Sequence, residues 1–455
     1  MSITARNPLR SQTDLVIATL ALMILLLLSL RVEIKHRAPA PALQQISLEG
    51  RLAEIQQVRL GATGPSKGGL EKLINGGSRL SSSGWDRAML SVLVVESGDL
   101  TQARGLALDG PPPPGPAGQA FRRCWSAAYL GEGSTPGDSD RAAVGHALRR
   151  GYAAQLLEAR LLERAGQPGA GLRQGAERWA RSRGHWLLGA GLLGLLALIA
   201  GLSFAVLLAL DWRRPAPETP PIATLPGRSL LLALLGWFLA YLLSGTLVAT
   251  LLGLLPILRP CSLFLMYGFH AWVGLALLCR LQDLTLKELL GQLFSGSRRT
   301  PLIWAPGFLV LAVTVVLLTS LLVSPFLRGQ APPQRELMEL VTGASSVWAL
   351  LPFFLLATVV APLFEEILFR GTLLPWLGQH LQASMGTRRG FTLALAITAL
   401  AFGAIHLEPA ALPALSALGL VLGLAFLRTS SLATSVVVHG IWNAGVLVFY
   451  RVMLT

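Results

Sequence analysis

FFLLATVVAPLFEEILFRGTLLPWLG, residues 353–378, is the stretch on which the reading of this chain turns. It runs for 26 residues, and its charged side chains are Glu365, Glu366 and Arg370. As a helix it would be about 39 Å long, enough to cross a hydrocarbon core of about 30 Å. A charge inside such a span costs several kcal/mol, so three of them within six positions need a reason. Glu366 and Arg370 stand four apart with the acid first, the favourable order for an ion pair along a helix. Glu365 points about 100° away from Glu366 on the helical wheel and has no partner on its own helix. A lone carboxylate in an apolar setting suits a general base or a metal ligand.

The remainder of the chain has the same character. Of 455 residues 53% are hydrophobic and only 14% charged, with a mean hydropathy of +0.57. Soluble domains carry about 25% charged residues, so this composition excludes an ordinary soluble enzyme, and its apolar content excludes disorder. Apolar runs predict spans at 186–210, 229–255, 261–281, 302–327, 353–378, 391–408, 411–428 and 432–454. The expected fold is all-α: a polytopic membrane helix bundle of about eight spans, residues 186–455, with its motif core at 350–445. Before it stand an N-terminal signal-anchor helix in residues 1–31 and a small helical extramembrane domain, residues 32–185. The anchor's apolar core is 15–30, and no small-residue cleavage site directly follows it. The loop 328–346, with its amphipathic PQRELMELV, is expected to lie along the membrane interface.

Residues 32–185 are polar, Arg-rich and punctuated by Gly and Pro. Helical spacing appears over 85–108 and 140–165, with a turn at Gly98-Asp99, and Pro111 to Pro114 should break the chain into an extended linker. The net charge of +14 could point to nucleic acid. The basic excess is spread, however, with 21 Lys/Arg against 14 Asp/Glu in 31–185 and 15 against 9 in 186–455. No block of like charge or aromatic-interleaved basic motif occurs, so a nucleic-acid partner is not expected. Ten Lys/Arg in short loops fall on one side, among them Arg213, Arg298, Arg299, Arg388 and Arg428. Only Arg259, Arg328, Arg335 and Arg451 fall on the other. The first set should face the cytoplasm and residues 32–185 the outside, although Arg173, Arg178, Arg181 and Arg183 pull the other way. Cys261 and Cys279 lie 18 residues apart on one predicted helix, too far for a disulfide, and Cys124 stands alone.

Further polar residues gather in the final third. His406 lies in AFGAIHLEP, while His439 and Asn443 lie four apart on one face in VVVHGIWNAG. A single intramembrane histidine is most often a helix-to-helix hydrogen-bonding residue, and His270 in YGFHAW takes that reading. Two acids, two imidazoles, an arginine and an amide together point further. A carboxylate and an imidazole can deprotonate water, directly or as ligands of a metal, and a second imidazole and an amide can donate to an oxyanion. Water attack on a carbonyl fits this inventory. A non-enzymatic transporter or scaffold would use the same cluster as a proton relay or a lock, although no internal repeat supports a transporter.

Glu365-Glu366-x-x-x-Arg370, Phe402-x-x-x-His406 and His439-x-x-x-Asn443 resemble, in order, the three motifs of the CPBP family. These are the CAAX-protease and bacteriocin-processing membrane proteases, also called Abi proteins. The resemblance covers about 350–445 and does not reach 1–185. It implies an intramembrane endopeptidase of a bacterial cytoplasmic-type membrane, acting on a membrane-associated peptide or protein of CAAX or leader-peptide type amid membrane lipid. It further implies that Glu365 activates water with help from His406, that His439 and Asn443 stabilise the oxyanion, and that Glu366 and Arg370 hold the site together. Both a divalent metal such as zinc, held by Glu365, His406 and His439, and a metal-free glutamate route remain open under it.

Overall fold

The computed structural model describes residues 17, 21, 24, 53–55, 84–110, 112–148, 151–211, 226–294, 301–327, 341 and 347–454. The body of the predicted anchor at 15–30 and the interfacial loop 328–346 lie outside the described residues, save for single positions. Every regular element among the described residues is helical. The chain divides into two compact units, one holding Ala38–Leu193 and the other Gly194–Leu447.

The first unit is built of short paired helices: α1 (Gly84–Glu96), α2 (Leu100–Leu108), α3 (Pro116–Trp125), α4 (Asp138–Ala147), α5 (Tyr152–Arg164) and the start of α6 (Ala170–Asp211). Gly98, at φ 99°, makes the turn between α1 and α2, and Asp99 caps α2 by accepting from the Gln102 backbone N–H at 2.9 Å. Trp85, Met89, Phe121 and Trp125 are fully buried in its core. Arg173 spans the unit, meeting Glu96 at 2.7 Å and Glu163 at 2.8 Å, and Tyr129 donates to Glu96 at 3.0 Å. The hydrogen bond from Arg173 holds the Glu163 carboxyl below the usual range. Of the expected extended linker, Pro111 lies outside the described residues, and Pro112 to Pro114 connect α2 to α3. Pro113 lies against the first turn of α3, where a Cβ on Gly118 would overlap its carbonyl. Glycine at 118 lets the prolines pack where any side chain would force them away.

The second unit carries the long apolar helices. Among the described residues seven helices are long and apolar enough to cross a membrane: Ala170–Leu210, Gly227–Leu254, Ser262–Gln282, Leu302–Phe326, Leu350–Met385, Leu412–Thr429 and Leu432–Met453. Continuing from α6, we label α7 (Gly227–Leu254), α8 (Ser262–Gln282), α9 (Leu286–Phe294), α10 (Ala305–Val323), α11 (Leu350–Met385), α12 (Thr387–Ala404), α13 (Leu412–Thr429) and α14 (Leu432–Leu454). The expected span 391–408 corresponds to α12, which opens on Arg388 and Arg389 and is not among the seven. It also ends four residues earlier than expected. Leu407 takes φ 56° and Glu408 precedes Pro409, a position that disfavours helix, so the chain leaves the helix before His406.

Helix α11 is not uniform. Two π segments, Leu356–Val360 and Ile367–Leu373, flank the α-helical turn Ala361–Glu366 that bears both glutamates. Prolines explain where backbone groups are released. Ala361 donates its N–H to the Leu356 carbonyl in the i−5 pattern. The next bond in that register would come from residue 362, which is proline and has no N–H, so the Ala357 carbonyl is left for an outside donor. Phe308, Phe402, Phe426 and Val421 fill the core around this helix.

Close helix approach is bought with glycine between α12 and α13. A Cβ on Gly403 would meet the Ser416 hydroxyl and stand 2.8 Å from the Leu412 carbonyl. Gly445 on α14 faces open space. Gly403→Ala should therefore destabilise the protein by about 1–3 kcal/mol, the usual range for overpacking. Gly445→Ala should be neutral or stabilising, by up to about 1 kcal/mol from helix propensity. Unfolding midpoints in detergent micelles measure both, and equal midpoints for the two variants would contradict the assigned packing.

Candidate active site

Three helices and one helix end bring the motif residues together. On α11, Arg370 Nη1 donates to Glu366 Oε1 at 2.7 Å, with both side chains almost wholly buried. The pair closes with Glu366 at the end of the α-helical turn and Arg370 within the second π segment. Arg370 Nη2 donates to the Gly419 carbonyl of α13 at 3.0 Å. Its guanidinium carbon lies 4.5 Å above the Phe402 ring of α12, a cation-π contact.

His439, from α14, completes the centre. Its Nδ1 lies 3.0 Å from Glu366 Oε1 and its Nε2 lies 3.8 Å from Glu365 Oε2. An ionised carboxylate can only accept, so Nδ1 carries the proton toward Glu366 and Nε2 is the atom turned to Glu365. The Phe402 ring stands edge-on to both His439 and His406, at 5.6 and 5.2 Å between centroids. Phe402 is thus the common wall of the motif residues.

Glu365 is not the isolated carboxylate that its helical position suggests. Besides His439, the hydroxyl of Tyr267 on α8 lies 3.2 Å from Glu365 Oε1. Pairing across helices, which a wheel drawn on one helix does not include, corrects the expectation of an unpartnered acid. Tyr267 carried no motif, and its one sequence signal was a hydroxyl three residues before His270 within an apolar span. His270 itself accepts from Trp237 Nε1 at 3.3 Å, the helix-to-helix bond read for it.

The remaining two residues sit at the edge of this centre. Asn443 Nδ2 donates at 2.8 Å to the Ala357 carbonyl, the one released by Pro362, and so ties α14 to α11. Its amide retains a second N–H. His406, half-buried beyond the end of α12, directs Nδ1 to the Phe402 carbonyl at 2.8 Å, where it must be the donor. No hydrogen bond or ion pair joins His406 to Glu365 or His439 among the described residues. Likewise no three His, Cys, Asp or Glu side chains among them are gathered to hold one metal ion. The expected ligand set of Glu365, His406 and His439 does not converge in this arrangement.

This fold and centre define an integral multi-pass membrane protein with a buried Glu-Arg-His cluster inside its bundle. Residues 347–445 match the family described as type II CAAX prenyl endopeptidase Rce1-like, a group of the CPBP proteins, over 99 of the 455 residues. The match contains all seven motif residues and supports an intramembrane protease function in a lipid environment, with a peptide substrate. The comparisons with curated proteins and with solved structures returned no match.

Removing one member of a buried ion pair leaves the other charge uncompensated, at about 3–5 kcal/mol. Arg370→Ala should therefore lose most of its folded yield in detergent, whereas Arg389→Ala, at an exposed position on α12, should not. Equal yields measured by size-exclusion chromatography would show that the pair does not organise the bundle.

Proposed function

We propose that the chain is an intramembrane endopeptidase that hydrolyses a peptide bond in a membrane-associated substrate of CAAX or leader-peptide type. Glu365 is the general base, His439 its partner, and Asn443 a donor to the oxyanion. The observation that carries this reading is Glu365 Oε2 facing His439 Nε2 at 3.8 Å, within the family-matched segment. A water beside the line between these two atoms can bond to both.

Glu365 takes one proton from that water as its oxygen attacks the substrate carbonyl carbon. The tetrahedral oxyanion then accepts from the second N–H of Asn443. When the C–N bond breaks, the proton on Glu365, shared with His439 Nε2, passes to the leaving nitrogen. The products are a carboxylic acid and an amine, with no covalent enzyme intermediate. Glu366 keeps its proton acceptor toward His439 Nδ1, which fixes the ring and its tautomer. His406 acts from the edge through the Phe402 wall, and Glu366 with Arg370 holds the centre together.

The first test is cleavage of a lipidated fluorogenic peptide ending in a Cys-aliphatic-aliphatic-X sequence, by protein purified into lipid vesicles. Glu365→Gln retains shape and removes the base, so cleavage should fall by about 10²–10⁴-fold, the usual share of general-base catalysis. His380→Ala, on an exposed ring stacked on Trp376, should keep wild-type activity. Full cleavage by Glu365→Gln would return the cluster to a proton-relay or scaffold role. A chelator arm belongs in the same assay. Unchanged rates support the glutamate-imidazole route, and loss restored by zinc supports a bound ion.

The short-loop charges support a topology with residues 32–185 on the side opposite Arg298 and Arg299. Added protease should cut within residues 32–185 from one face of sealed vesicles and at the Arg298-Arg299 loop from the other. Cuts at both from one face would reverse that assignment.

A further inference from the structure

We propose that Tyr267 is the positioning residue that decides which oxygen of Glu365 works as the base. This inference rests on the reading of Glu365 given above. A carboxylate has two chemically equal oxygens, and rotation about its last side-chain bond exchanges them. Here they are made unequal. Oε1 lies 3.2 Å from the Tyr267 hydroxyl, while Oε2 is directed at His439 Nε2 at 3.8 Å. Holding the first oxygen aims the second.

The phenol is well fixed for this task. Its ring stands edge-on to His270 at 4.6 Å and to Phe364 at 6.2 Å. Trp237 in turn donates to His270 Nδ1 at 3.3 Å and packs against Phe364 at 6.0 Å. This aromatic wall lets the hydroxyl hydrogen rotate while the oxygen stays in place. Two acceptors are within its reach, Glu365 Oε1 and the Ala361 carbonyl at 3.3 Å. A hydrogen bond to a charged acceptor is about twice as strong as one to a neutral group. The proton therefore points at Glu365 while the carboxylate is ionised, and can turn to Ala361 once Glu365 has taken the proton of water. Tyr267 touches neither water nor substrate in this scheme; it supports the ionised base and holds its angle.

The test is the kinetics of Tyr267→Phe with the lipidated fluorogenic peptide in vesicles, alone and combined with Glu365→Gln. Phenylalanine keeps the ring contacts and removes the donor. With Oε1 released, Oε2 is no longer held at its angle, and this misplacement of the base should lower kcat by up to about 100-fold. KM should not change, because no substrate contact is lost. Added to Glu365→Gln, the same change should have almost no further effect. Wild-type kcat in Tyr267→Phe, a loss confined to KM, or an equal further loss on top of Glu365→Gln would each overturn the assignment. If Glu365→Gln itself cleaves at the wild-type rate, the reading of Glu365 fails first and this role fails with it. A dead Glu365→Gln beside a fully active Tyr267→Phe refutes Tyr267 alone. Unfolding midpoints of wild type and Tyr267→Phe should agree, and a matched midpoint with a lowered kcat separates positioning from packing.

Discussion

A guanidinium and a carboxylate buried side by side in a bundle without bulk water form a constraint that the rest of the second unit has to satisfy. Each ion gives up several kcal/mol of hydration, which the pair's own attraction offsets only with further donors and acceptors beside it. Glu366 and Arg370 meet at 2.7 Å on α11, Glu366 Oε2 is buried with no hydrogen-bond partner among the described residues, and three further partners of the pair arrive from three other helices. Gly419 on α13 offers its carbonyl, Phe402 on α12 its ring face, and His439 on α14 its Nδ1–H. Gly419 lies where a Cβ would stand 3.1 Å from the Ala399 carbonyl, so the helix carrying that acceptor can come close. The ion pair is thus the point at which four helices are brought into register.

Chemistry follows from this structural demand. Glu366 Oε1 accepts from Arg370 Nη1 and from His439 Nδ1, which sends the other imidazole nitrogen toward Glu365. A group whose role is to hold the bundle therefore also sets the tautomer of the residue beside the base. The prolines of α11 extend the same economy to the backbone. Pro362 releases the Ala357 carbonyl, and Asn443, one turn beyond His439, takes it. Irregular backbone at membrane depth is tolerated when a side chain from a neighbouring helix supplies the missing partner.

Much of this was legible in the sequence, for a physical reason. Charge is rare inside membrane spans, so Glu365, Glu366 and Arg370 stood out against an apolar background, and the spacing of Glu366 and Arg370 alone foretold their pair. The apolar runs likewise announced a polytopic helical bundle. What remained hidden depends on three-dimensional neighbours or on local backbone. Tyr267 is a common residue in an apolar run, and nothing in its spacing reveals a carboxylate 98 positions away. The helix bearing Phe402 looked long enough to hold His406 until Glu408-Pro409 and the left-handed Leu407 ended it early. The expected convergence of Glu365, His406 and His439 relied on that longer helix. With His406 outside it, the partner at Glu365 is His439.

The central claim is that Glu365 and His439 act as one unit on one water, and a double-mutant cycle measures this most directly. Cleavage rates of Glu365→Gln, His439→Ala and the combined variant would be compared in the same vesicles, with unfolding midpoints confirming that each remains folded. Groups that act as a unit are strongly non-additive, so the double variant should be no slower than the slower single variant. Losses that multiply, with the double variant slower by the product of the two single effects, would mean that the two residues act independently and would contradict the account.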